Sequence, residues 1–205
     1  DLHGIAISGP NSRKLLSRIC REDVSNEALK FRDTRETFIG GVPAILNRIS
    51  FSGELGYEIY VAPQLQLKLF EEIESNGKDL GLKLYGSRAL MSLRLEKNWG
   101  VWTMDFRPDF TAVESGLDAF INWDKNFIGK KSALSEKKQG PKKKLVTMTV
   151  DTEDIDVTND EAILKDKKCV GYITSGGYAH HVKKSMALGY VPIELSKHKI
   201  GRAHV

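Results

Sequence analysis

The chain has 205 residues, 40% hydrophobic and 28% charged. That is an ordinary globular balance, long enough to bury a core without metal or disulfide staples, and it excludes a disordered or fibrous chain. Lysine and arginine total 31 against 27 acidic residues, a net charge of +4 too mild to argue for nucleic acid. No apolar run approaches the roughly 18 residues of a membrane span.

Two cysteines, Cys20 and Cys169, fit a reducing compartment better than a disulfide framework. The chain opens at Asp1 with neither Met nor presequence and runs at once into the strand-like Ile5-Ala6-Ile7. Its last residues, Gly201-Arg202-Ala203-His204-Val205, resemble a translated sequencing adapter. The expectation is a piece of a longer protein, incomplete at both ends, with a non-native tail at 201–205.

Residues 4–10 predict a strand ending at Gly9-Pro10, followed by a helix over 12–20 capped by Asn11 or Ser12. Residues 31–61 predict two or three strands with turns at Gly40-Gly41 and across 52–56. After Pro63, residues 64–75 predict an amphipathic helix with its apolar stripe at Leu65, Leu69 and Ile73. A second helix is expected over 87–98, a short strand over 118–123 and a short helix over 129–137. Lys137, Lys138 and Lys142 to Lys144, around Gly140-Pro141, predict a solvated linker. No aromatics interleave these lysines, as a nucleic-acid surface would require. Strands at 145–150, 161–165, 169–174 and 185–191 then predict an all-β module, an incomplete barrel.

The most informative segment is Phe51-Ser52-Gly53-Glu54-Leu55-Gly56-Tyr57-Glu58-Ile59-Tyr60-Val61. Its alternation points Tyr57, Ile59 and Val61 one way and Glu58 and Tyr60 the other. A strand carboxylate accepts two parallel hydrogen bonds and matches the N–H and amino edge of a pterin; it also suits a half-exposed surface glutamate. In the 87–98 helix, Arg88, Met91, Leu95 and Trp99 form one stripe. An arginine heading an apolar stripe meets either a ligand anion or an internal carboxylate such as Glu96 or Glu114. Trp99 and Trp102 suit stacking on a planar ligand or simple core packing. Gly176-Gly177 predicts a loop between strands without the context of a dinucleotide site. The adjacent His180-His181 has no partner at metal spacing and is expected to be structural.

Taken in order, these segments resemble the glycine-cleavage T-protein (aminomethyltransferase) superfamily. The resemblance rests on Gly53 to Tyr60, Ser92-Leu93-Arg94-Leu95-Glu96-Lys97, Glu114-Ser115-Gly116-Leu117, Asn126-Phe127-Ile128-Gly129-Lys130 and Gly171 to Gly177. In detail the wording is most similar to the C-terminal folate-binding part of dimethylglycine and sarcosine dehydrogenases. There Phe51-Ser52-Gly53-Glu54-Leu55-Gly56 and Lys184-Ser185-Met186-Ala187-Leu188-Gly189-Tyr190-Val191-Pro192 find their nearest counterparts.

The resemblance implies an α+β body. Ferredoxin-like folate-binding lobes of the T-protein cloverleaf fill residues 1–138, and a C-terminal antiparallel β-barrel fills 139–205. It implies tetrahydrofolate as ligand, with FAD and a small N-methyl amine belonging to a preceding flavin domain, and capture of the one-carbon unit as 5,10-methylenetetrahydrofolate. Carried over by position, Glu58 holds the pterin edge, Arg88 and Trp99 contact folate, and Tyr57 neighbours the site. Tyr57 and Phe51 are counted with them as folate-binding residues, and Phe51 stands where the family has a ligand-contacting tyrosine, so one hydroxyl donor is lost. The family's acid/base aspartate is expected upstream of Asp1. A stand-alone aminomethyltransferase and a non-catalytic regulatory protein of the same fold are the alternatives. The expected location is the cytoplasm, or the mitochondrial matrix in a eukaryote, with no nucleic-acid or membrane partner.

Overall fold

The computed structural model of the chain describes residues 1–197; the adapter-like residues 201–205 lie outside them. The chain forms two compact units, the first Asp1–Met91 and the second from Ser92 onward.

In the first unit, short alternating segments become one antiparallel sheet of β1 (His3–Ser8), β2 (Thr34–Ile39), β3 (Val42–Asn47) and β4 (Gly56–Val61). Residues 31–61 thus hold three strands. The strand order is β1-β4-β3-β2. Gly40 and Gly41 close the β2–β3 hairpin, both with positive φ (59° and 75°), the turn geometry that follows strand twist.

Alternation sends Ile7, Val42, Ala44, Leu46, Tyr57, Ile59 and Val61 to one face of the sheet. There they pack with Leu15 and Leu16 of α1 (Ser12–Ile19) and Leu69 and Ile73 of α2 (Gln66–Gly77). Burying each such leucine contributes about 1.5–3 kcal/mol. The α2 stripe is as expected at Leu69 and Ile73, while Leu65 ends a 3-10 turn and is half-buried. The other face of the sheet carries Gly4, Ala6, Ser8, Ile45, Asn47, Glu58 and Tyr60 in register.

Neither expected cap closes α1. Asn11 Nδ2 donates to the Leu80 carbonyl (3.1 Å), and Ser12 Oγ donates to the carbonyls of Gly9 (2.7 Å) and Leu55 (3.0 Å). The distant Leu80 and Leu55 carbonyls, with the local Gly9 carbonyl, take the side chains that a cap would use.

The chain leaves the first unit within α3 (Ser87–Glu96). The second unit holds α4 (Lys130–Gln139) and an antiparallel sheet of β5 (Lys143–Val150), β6 (Ala162–Lys165), β7 (Lys168–Ala179) and β8 (Lys184–Pro192), in the order β5-β8-β7-β6.

Several expectations are corrected here. Residues 118–123 form no strand: Asp118–Phe120 is a 3-10 turn. Its amides bond locally, Phe120 to the Leu117 carbonyl and Ile121 to that of Asp118. The lysine-rich linker shrinks to residues 140–142, because Lys137 and Lys138 end α4 and Lys143 and Lys144 pair with Pro192 and Val191 in the sheet. Lysines in a last helical turn also suit the helix dipole. Gly176-Gly177 lies inside β7, where a Cβ on Gly176 would stand 2.3 Å from the Val157 carbonyl oxygen. Glycine there admits a crossing backbone. His180-His181 occupies the β7–β8 turn, with the His181 amide donating to Glu96 Oε1 (2.7 Å). Among the described residues no cluster of His, Cys, Asp and Glu can hold a metal ion.

Candidate functional site

β4 presents the site. Core burial of Tyr57, Ile59 and Val61 on one side fixes Glu58 and Tyr60 on the other, both half-buried. The Tyr60 hydroxyl donates to Glu58 Oε2 at 2.7 Å. This bond to Glu58, with burial adding to it, pushes the Tyr60 phenol above its ordinary value. Glu58 is flanked in register by Ala6 on β1 and Asn47 on β3. Gly4 faces Tyr60 across β1, and a Cβ there would meet the Tyr60 ring at 3.1 Å. The ring therefore lies over the β1 side. Asn47 Oδ1 is buried and has no partner among the described residues.

The preceding loop folds back on the strand. A Cβ on Gly56 would meet the Ile49 carbonyl at 3.0 Å, so the loop crosses directly over the start of β4. Ser52 is buried within it, and Phe51 is half-buried.

The expected site residues divide accordingly. Glu58 keeps its outward place, and Phe51 stands in the loop that leads into β4. Tyr57 is corrected to a core residue. It is 1% exposed on the face away from Glu58, and its hydroxyl accepts from Arg13 Nε at 3.0 Å. Arg88 is exposed on the first turn of α3. Glu96 and Glu114, its expected internal partners, are engaged by backbone amides, those of His181 and Lys143 among them.

Trp99 and Trp102, in the second unit, are not core: they are 39% and 75% exposed. Trp99 meets Phe120 edge-on, with ring centroids 6.4 Å apart.

The buried arginine of α3 is Arg94, in the second unit. Its Nη1 lies 3.0 Å from Asp105 Oδ2, and the two side chains are 3% and 0% exposed. Ser175 Oγ donates to Asp105 (2.8 Å) and accepts from Arg94 Nη2 (2.8 Å), while Thr174 Oγ1 and the Val101 amide also donate to Asp105. Burial draws the guanidinium below its ordinary value, and Asp105 opposes that shift. This network holds the turn after α3, since Arg94 Nη1 also donates to the Trp99 carbonyl (3.2 Å), while Arg94 Nε is buried with no partner among the described residues.

The sequence alternation sets Tyr60 on the face of Glu58, but the hydrogen bond between them and the place of Asn47 are not legible there. The alternation of β3 places Asn47 on the Ile45 face, but only the β3–β4 register sets it opposite Glu58.

A half-buried strand carboxylate beside an orphaned amide oxygen suits a planar ligand edge rich in N–H donors. The segment order agrees with known proteins: residues 1–125 match the GCVT N-terminal domain, and residues 143–202 match the glycine cleavage T-protein C-terminal barrel domain. The chain belongs to the glycine cleavage T-protein family.

Among its relatives, the mitochondrial dimethylglycine dehydrogenase of Homo sapiens is 35% identical over 199 residues, 96% of this chain and 23% of the relative. The aminomethyltransferase of Caldanaerobacter subterraneus is 34% identical over 189 residues, 91% of this chain and 50% of that protein. The crystal structure of the glycine cleavage system aminomethyltransferase T from Bartonella henselae matches with a TM-score of 0.80 and 26% identity, over 94% of this chain and 52% of that one. The chain therefore spans about a quarter of the dehydrogenase and half of the aminomethyltransferases. The fold is the family's mixed α/β architecture with two antiparallel sheets, the second in the C-terminal barrel domain.

Proposed function

We infer that this chain is the tetrahydrofolate-binding part of an FAD-dependent N-methyl amine dehydrogenase of the dimethylglycine or sarcosine type. Residues 1–138 belong to the folate-binding part, and the barrel part begins at residue 139. The observation that carries this reading is the Glu58 carboxylate. It is held on a rigid strand, with one oxygen engaged by Tyr60, whose ring lies over Gly4, and with the small Ala6 opposite it on β1.

Tetrahydrofolate, when bound, supplies the N5 that takes up the one-carbon unit. The residues here supply position. Glu58 accepts the N–H groups of the pterin edge, a charge-assisted contact. Tyr60 fixes the rotamer of the carboxylate. Phe51 offers an apolar ring, and Arg88 a cation for an anionic group of the ligand. Holding the acceptor in place replaces a bimolecular encounter by a local one.

The dehydrogenase assignment is favoured by the wording of the Phe51–Gly56 segment and by 36–38% identity to the rodent dimethylglycine dehydrogenases over 94–96% of the chain. A stand-alone aminomethyltransferase is the second reading, supported by 34% identity over 91% of the chain. The test is calorimetric titration of the intact protein with tetrahydrofolate, together with its flavin absorbance. Saturable folate binding with bound flavin supports the dehydrogenase. Folate binding without flavin supports the transferase. Absence of folate binding overturns both.

A further inference from the structure

Asn47 ends β3 directly opposite Glu58. Opposed residues on one face of an antiparallel pair stand close enough for both side chains to touch one ligand. Asn47 Oδ1 is buried without a partner among the described residues. Buried amide oxygens are almost always paired, because a dry, unmade acceptor is costly. An orphan beside a carboxylate in a proposed ligand site therefore calls for a donor that arrives with the ligand.

The flanks of Glu58 differ. On the β1 side the Tyr60 ring lies over Gly4 and its hydroxyl binds Glu58 Oε2. On the β3 side stands Asn47. Glu58 and Asn47 thus offer two adjacent acceptors, one charged and one neutral. A pterin edge presents a ring N–H and an exocyclic amino group. The carboxylate takes the ring N–H and one amino hydrogen, which leaves the second amino hydrogen outside its reach.

We propose that Asn47 Oδ1 accepts this second hydrogen and makes Asn47 a specificity residue for 2-amino pterins. The proposal rests on the folate reading above. It gives the orphaned oxygen of Asn47 a partner.

The test uses Asn47→Ala and Asn47→Leu in the intact protein, titrated with tetrahydrofolate and with its 2-desamino analogue, and Glu58→Ala as reference. Both Asn47 variants are expected to bind tetrahydrofolate about 3- to 10-fold more weakly, as for loss of one neutral hydrogen bond. They should bind the analogue as the parent does. The ligand-free Tm is expected to hold or rise, because no protein partner of Oδ1 is lost. Unchanged tetrahydrofolate affinity overturns the proposal, as does an equal loss for the analogue or a loss confined to a variant with lowered Tm. If Glu58→Ala weakens binding while the Asn47 variants do not, the Asn47 assignment fails and the folate reading stands. If neither position matters, both fail.

Discussion

Tyr60 and Glu58 share one face of β4 two residues apart, and the tyrosine hydroxyl holds Glu58 Oε2 at 2.7 Å. The pair sets the orientation of the only carboxylate that β4 presents. Glu58→Ala is expected to weaken tetrahydrofolate binding by about 1.5–3 kcal/mol, the range for a hydrogen bond to a charged group. Tyr60→Phe should weaken folate binding less than Glu58→Ala does, because it removes only the hydroxyl that orients the carboxylate and leaves the carboxylate in place. Calorimetry on both variants checks the order; equal or absent losses refute the role of Glu58.

Arg88 is exposed, so its replacement should leave the fold alone. Arg88→Leu is expected to change stability by no more than about 0.5 kcal/mol, as for most surface positions, while reducing folate affinity. A lowered Tm with unaltered affinity would show that Arg88 serves the fold instead.

Arg94 predicts the opposite behaviour. Arg94→Met strands the fully buried Asp105 without its cation. Breaking a buried pair in this way costs about 3–5 kcal/mol, to be read from the midpoint of urea unfolding.

Tyr190 gives the pH dependence. Its hydroxyl donates to the Asp105 carbonyl (2.9 Å) and lies 2.7 Å from Ser115 Oγ. Burial pushes the phenol from 10.0 up to about 12. The neutral form is thus favoured in the folded state. Its contribution is complete below pH 10 and is lost as pH rises through about 12, since stability falls wherever the folded state retains the proton longer. Urea midpoints measured across this range should fall less steeply for Tyr190→Phe than for the parent.

Gly176→Ala is expected to destabilise the second unit by about 1–3 kcal/mol or more, the cost of overpacking, because the added methyl would lie 2.3 Å from the Val157 carbonyl oxygen. Thermal unfolding reads this directly.

Much of the fold was legible because period-two alternation and the α2 stripe are local signals. They locate β3, β4 and α2 and orient Glu58 away from the core before any contact is known. The segment 118–123 misled because Leu117 to Asn122 also alternates loosely. A strand needs a ladder partner, and here the amides bond within the turn.

The sequence by itself determined the family, through motifs in a set order, and with it the two-part architecture and the outward strand glutamate. Only the tertiary structure decided that Arg94, and not Arg88, is the buried arginine of α3, that Tyr57 belongs to the core, and that Asn47 stands beside Glu58. The reason is physical. Helical and strand periods state which residues share a face. Which face is buried, and which residue of the next strand lies opposite, depend on packing and register with segments far away in the chain.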